Sequence, residues 1–133
     1  MGIIPSVQRA AHAIGRHLES ALGELGVSQG EAHVLFVLAA GPAPIARLAE
    51  VVGVKRSTLT NILDRLESKR LARREINPAD RRSFVVRPTP AGRRAARKIA
   101  DAFAAVDAKL AQETTGHERR SFHSVLAKLE ELL

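Results

Sequence analysis

Apolar residues recur at helical spacing along most of this chain. After Pro5-Ser6, the residues Val7, Ala10, Ala11, Ile14, Leu18, Ala21 and Leu22 fall on one side of a helix expected over 6–24, which Gly26 ends. Ser28 and Glu31 form an S-x-x-E capping box ahead of a strongly apolar helix, Ala32–Ala40, whose lack of a polar face predicts burial. Gly41-Pro42-Ala43-Pro44 breaks the chain. Ile45, Leu48, Ala49 and Val52 then repeat at i, i+3, i+4 and i+7, a short helix stopped by Gly53. The next helix begins near Lys55–Arg56 and runs to about Lys69, with Leu59, Ile62, Leu63 and Leu66 as its inward stripe.

The pattern then changes. Leu71–Ile76 and Ser83–Arg87 have strand propensity and flank Asn77-Pro78-Ala79-Asp80, which is turn chemistry, so a hairpin is expected. Thr89 supplies an N-cap and Pro90 a first-turn residue for a helix from 90 to about 113, with Ile99, Ala102, Phe103, Val106 and Leu110 along one side. Thr115 and Glu118 form a second capping box opening a last helix with Phe122, Val125, Leu126, Leu129 and Leu132. The fold class is mainly α with a small β-hairpin. A helix–turn–helix followed directly by a basic hairpin is a winged helix-turn-helix, an arrangement suited to DNA.

Charge sharpens this picture. The 133 residues carry a formal net charge of +7. Residues 55–98 hold 14 Lys and Arg against 4 Asp and Glu, a net +10, whereas the rest holds 7 against 10, a net −3. The excess spans several elements, which favours a polyanionic partner over a merely solvated helix face. The length fits a single domain, 1–133, with helices at 1–40 and 90–133 around a reading core at 41–89. No apolar run approaches the ~18–20 residues of a membrane span, and the N-terminus lacks an export signal, so a cytoplasmic protein without a membrane partner is expected. Absence of Cys removes disulfides, thiolate metal sites and thiol chemistry.

Enzyme signatures are lacking: there is no G-x-S-x-G elbow, no phosphate loop and no i, i+4 pair among the five His, so catalytic residues, metal and cofactors are all expected to be absent. His33 and Phe36 are candidates for lining a small-molecule effector cavity.

On the helix near Lys55, the outward side presents Arg56, Ser57, Thr60, Asn61 and Asp64. Short hydrogen-bonding side chains with one Arg suit base edges in the major groove, where Asn pairs with adenine, Arg with guanine, and Thr methyls touch thymine. An unpartnered surface helix would more often show Glu and Lys there. At the hairpin tip, Arg81 and Arg82 can enter the minor groove, with Asp80 accepting hydrogen bonds from the turn or from a neighbouring Arg. Arg73 and Arg74 point to opposite faces of their strand, and Arg74 is taken as the one that reaches phosphate. Lys55 and Arg65 complete the basic set on the helix.

Val52–Leu66, Leu71-Ala72-Arg73-Arg74, Asn77-Pro78-Ala79-Asp80-Arg81-Arg82-Ser83 and Thr89-Pro90-Ala91-Gly92 resemble the MarR family of bacterial transcriptional regulators, and the flanking helices match in order. The resemblance implies a homodimer paired through N- and C-terminal dimerisation helices, bound to double-stranded DNA at a palindromic operator. It also implies a repressor, commonly released by a small-molecule effector. By matching position, Arg82 becomes the minor-groove arginine with Asp80 its wing partner, and Arg56, Ser57, Thr58, Thr60 and Asn61 line the major groove. Three residues depart from the family pattern: Lys55 replaces a Ser cap, Asn61 a common basic residue, and Arg70 the Gly that ends the recognition helix. Dimerisation also follows from the apolar stripes at 6–22 and 99–133, which one small winged helix cannot bury; a symmetric pair would set two reading helices ~34 Å apart. A non-specific architectural DNA-binding protein with the same core is the alternative, and an interaction module for acidic protein or lipid a third; neither makes use of the polar reading face.

Overall fold

The architecture comes from a computed structural model that describes residues 2–133. Its order is α1 (Ile3–Leu22), a 3-10 turn (Gly23–Leu25), α2 (Gln29–Leu38), β1 (Ala43–Pro44), α3 (Ile45–Val52), α4 (Arg56–Ser68), β2 (Ala72–Asn77), β3 (Asp80–Pro88), α5 (Pro90–Glu113) and α6 (Gly116–Leu132). Helix α1 starts three residues before the expected position, because Pro5 is tolerated in a first turn whose N–H groups lack partners anyway. Helix α2 likewise opens at Gln29 rather than Ala32. The Ser28 hydroxyl accepts from the Glu31 amide at 3.3 Å, and the Glu31 carboxylate accepts from the Ser28 amide at 3.4 Å. A capping box fixes the start at its own first residue, ahead of the apolar run.

The sheet has three strands in the order β1-β3-β2, all antiparallel. Strand β1 is absent from the sequence reading, which treats Ala43-Pro44 as part of a break; Ala43 pairs with Val86 and Pro44 with Val85. The β2–β3 hairpin closes tightly through Pro78-Ala79, since Asn77 already pairs with Asp80. The Asn77 side-chain oxygen accepts from the Ala79 amide at 3.0 Å, the local bond that makes Asn a turn former.

The chain forms two compact units, one ending at Ala102 and the other comprising Phe103–Leu133. In the first, Leu35 and Leu38 of α2, Leu48 of α3, Leu59, Leu63 and Leu66 of α4, Val86 of β3 and Ile99 of α5 are all fully buried. Burying each of these side chains is worth ~1.5–3 kcal/mol relative to exposure. Helix α2 therefore belongs to the core that carries α4. Gly92 lies where α5 begins: a Cβ there would clash with the Leu71 carbonyl oxygen, so only glycine allows the helix to pass this strand end.

In the second unit, Thr115 and Glu118 form the expected capping box. Arg119 closes the end of α5, donating from Nη1 to the Thr114 carbonyl at 2.8 Å and to its hydroxyl at 2.9 Å. No residue of α6 is buried, and Phe122 is 56% exposed. Among the described residues, no helix is long and apolar enough to cross a membrane.

Candidate nucleic-acid interface

Helix α4 turns Leu59, Ile62, Leu63 and Leu66 into the core, which leaves Arg56, Ser57, Thr58, Thr60, Asn61, Asp64 and Arg65 exposed. The Thr60 hydroxyl donates to the Arg56 carbonyl at 2.9 Å, so its methyl group remains as the contact surface. Lys55 occupies the N-cap with extended backbone and makes no side-chain cap, so the first amides of α4 lack the acceptor a serine would supply.

The other end of α4 is closed by backbone alone. The Leu71 amide donates to the Leu66 carbonyl and the Arg70 amide to the Glu67 carbonyl, both at 2.9 Å, a Schellman closure. This closure puts its penultimate residue in the left-handed region, and Arg70 adopts φ +58°, alone among the described non-glycine residues in having positive φ. The Schellman closure thus forms with an arginine at residue 70, which places a strained residue at the helix end.

Both flanks of α4 are held by charge, with opposite polarity. On one flank the helix supplies cations: Arg65 Nε donates to Glu31 Oε1 at 3.2 Å and Lys69 Nζ to Glu31 Oε2 at 2.6 Å. The Glu31 side chain is only 2% exposed, whereas those of Arg65 and Lys69 are 53% and 38% exposed. Burial raises the Glu31 pKa, but the bond and charge of Lys69, the Ser28 amide and Arg65 outweigh it and hold the carboxyl below its ordinary value. Lys69 Nζ also donates to the Gly26 carbonyl at 2.8 Å, which ties the turn before α2 to the end of α4.

On the opposite flank the helix supplies anions. Arg74 donates from Nε to Glu67 Oε1 and from Nη2 to Asp64 Oδ1, each at 2.6 Å. The bond to Glu67, aided by Asp64, raises the Arg74 pKa above its ordinary value against the effect of desolvation. Arg74, expected to reach a phosphate, is therefore engaged inside the protein as the strut between β2 and α4. Arg73, on the other strand face, pairs with Glu75 at 3.0 Å, and Glu75 also accepts from Arg87 at 3.1 Å.

At the hairpin tip, Asp80 Oδ1 accepts from the Arg82 amide at 3.1 Å and from Arg82 Nε at 3.3 Å. The Arg82 side chain is nevertheless 92% exposed, so its remaining guanidinium nitrogens face solvent. Arg81 is exposed beside it.

His33 and Phe36 are exposed on α2 and line neither of two hollows found on the first unit. One of these, a cavity of about 160 Å³, is lined by Leu18, Leu22, Val27 and Ala32 with Glu19, Ser28 and Gln29 among its polar members. The other is a shallow hollow along α1 that includes Arg9, His12 and Arg16. The described residues contain no group of three or more His, Asp or Glu able to hold a metal ion.

Sequence reasoning missed Glu31, because the capping box accounts for a glutamate at that position and its cationic partners lie 34 and 38 residues away. The partners of Arg74 left a weak signal: Asp64 and Glu67 are three apart on a helix and share an edge.

Residues 25–83 match the sequence model of the MarR family. A protein of Thauera aromatica assigned to transcriptional regulation of the hcr operon is 30% identical over 105 residues, which cover 78% of this chain and 63% of that relative. The chain thus spans less than two thirds of the length of this curated relative. Among solved structures, the Staphylococcus aureus MepR–DNA complex superposes with a TM-score of 0.86 at 19% identity, over 100% of this chain and 99% of the other. The Mycobacterium tuberculosis regulator MosR, in complex with DNA, gives 0.80 at 25% identity over 99% and 98%.

Proposed function

We propose that this chain is a member of the MarR family and a sequence-specific DNA-binding transcriptional regulator, acting as a homodimeric repressor at a palindromic operator; the match of residues 25–83 to the family's sequence model supports the reading. The observation that carries this reading is the face of α4. Arg56, Ser57, Thr60 and Asn61 stand exposed with hydrogen-bonding or methyl groups outward, on a helix whose flanks are both tied down. A solvent face needs neither that composition nor that rigidity, whereas base-edge readout needs both. Arg82 supplies the minor-groove contact, and its bond to Asp80 orients it before binding. The solved MepR and MosR complexes with DNA, on the same fold, support the assignment.

Pairing of two copies is supported by the apolar surface left on each unit. Ile3, Ile4 and Ile14 of α1 are 60%, 47% and 53% exposed, and Phe122, Val125 and Leu132 of α6 are 56%, 44% and 82% exposed. Such patches on a small chain mark interaction surfaces. A two-fold pair presents two reading helices to half-sites about one DNA turn apart, hence a palindrome. For an effector that releases the repressor, the 160 Å³ cavity between α1 and α2 is a candidate place beside His33 and Phe36.

Fluorescence anisotropy with a labelled duplex from the upstream region of the protein's own gene, against a shuffled duplex of equal length, tests the reading. The expected result is specific binding ~10³-fold or more tighter, with Arg82→Ala weakening it. Equal affinity for both duplexes would instead identify a non-specific architectural protein.

A further inference from the structure

Resting on that DNA-binding reading, we propose that Glu31 is a positioning residue for DNA recognition: its buried carboxylate aims the guanidinium of Arg65 at a backbone phosphate. Three observations meet here. First, Glu31 is 1% exposed, and each of its oxygens is engaged by α4, Oε1 by Arg65 and Oε2 by Lys69. Removing an ion from water carries a desolvation penalty, and two helices can pack as well through apolar side chains, so cohesion alone gives little reason to bury a carboxylate there. Second, Glu31 binds Arg65 through Nε, and no hydrogen bond engages its Nη groups among the described residues. The side chain is 53% exposed, so the end of the fork, with its paired N–H groups in a fixed plane, is presented to solvent. Third, Arg65 lies nine residues beyond Arg56, ~13 Å along the helix axis, and the major groove is ~12 Å wide. A helix that reads base edges with Arg56 to Asn61 brings Arg65 to the phosphate wall, not to the bases.

A free surface arginine samples many rotamers and loses that freedom on binding DNA. One that is already held by a rigid anion does not. Lys69 makes the anion rigid, because it anchors the other oxygen and is itself fixed to the Gly26 carbonyl. Arg74 holds the far flank of the helix, so rotation of α4 about its axis, in either direction, breaks one of the two ionic contacts.

The inference runs against simple charge counting. Replacing an acid by a neutral residue makes a DNA-binding protein more positive and, by bulk electrostatics, tightens its binding. Here Glu31→Gln should weaken binding about tenfold, the loss of one aimed charge-assisted contact. The test is anisotropy with the upstream duplex across a salt series, on wild type, Glu31→Gln, Arg65→Ala and the double variant, with folding of each verified by circular dichroism. Arg65→Ala should flatten the salt dependence by about 0.9 per protomer, the release of one phosphate contact. Glu31→Gln should flatten it in the same sense, and the double variant should match Arg65→Ala alone. Glu31→Asp keeps the charge if Glu31→Gln fails to fold, yet withdraws the carboxylate from Arg65, and the same loss of slope is expected. A wild-type salt slope in Glu31→Asp, or multiplied losses in the double variant, overturns this inference alone. Wild-type protein that fails to bind the upstream duplex overturns the DNA-binding reading together with it.

Discussion

The hydroxyl of Thr89 donates to the carbonyl oxygen of Arg70 at 2.7 Å, so the residue that caps α5 is bonded to the left-handed residue just past the end of α4. The same hydroxyl accepts from the Gly92 amide at 3.0 Å, and the Thr89 amide donates to the Leu71 carbonyl at 3.0 Å. Thr89→Ala removes an N-cap and the Arg70 link together, with an expected cost of about 1–2 kcal/mol in urea unfolding. Thr89→Ser keeps the hydroxyl and should restore most of it. An alanine variant as stable as wild type would show that the junction contributes nothing.

Arg70 itself holds a conformation that glycine adopts without strain, at φ +58°. The left-handed region costs an L-residue roughly 1–2 kcal/mol, while glycine adds about 0.5–1 kcal/mol of entropy to the unfolded chain. Arg70→Gly should therefore stabilise the protein by about 0.5–1 kcal/mol. Arg70→Val, with a β-branched side chain at positive φ, should destabilise it. Thermal unfolding of the pair against wild type reads both signs.

Lys55→Ser should move stability and binding in opposite directions. Lys55 has the extended backbone of an N-cap and no capping bond, so serine can accept from an amide of the first turn and add about 1 kcal/mol. The same change removes a cation at the end of the helix proposed to enter the groove. The salt dependence of duplex binding should flatten by about 0.9 per protomer, measured by anisotropy.

Acid should loosen the α2–α4 contact before it unfolds the helices. Glu31 titrates below its ordinary 4.5 in the folded protein, so it stabilises the fold fully above that value. Protonation as pH falls through the lower folded value removes this contribution. The urea midpoint should stay level from neutrality to about pH 5 and then decline, and Glu31→Gln should flatten the decline. Glu75 also titrates low because of Arg87 and Arg73, but it lies in an open surface cluster where solvent screens the pair, so Glu75→Gln should leave the profile nearly unchanged.

What could be read from the chain alone follows the range of the interactions. Helices α3, α4 and α5 are legible because Leu48, Leu59, Leu63 and Ile99 repeat at helical spacing, and their ends are marked by Gly53 and Thr89. The exposed face of α4 follows from the same periodicity. Strand β1 was not legible: it is two residues long, one of them Pro44, and its partners Val85 and Val86 lie some forty residues on. The role of Glu31 was hidden for the same reason, its cationic partners lying 34 and 38 residues away. A sequence shows that a carboxylate caps its own helix or that a strand alternates its arginines, but not which distant side chain arrives to neutralise them.

The order β1-β3-β2 leaves β3 covered on both sides, so the sheet's open edges belong to β1 and β2. Both edges resist extension by a strand from another molecule. Strand β1 is a two-residue stub that contains Pro44, which has no N–H to offer, and β2 carries Arg73, Arg74 and Glu75 in succession. A protruding hairpin with an apolar pair, Ile76 opposite Phe84, at 55% and 46% exposure, would otherwise be an inviting template for aggregation. The charges on β2 thus keep the hairpin solitary even where many copies of the protein are packed close together.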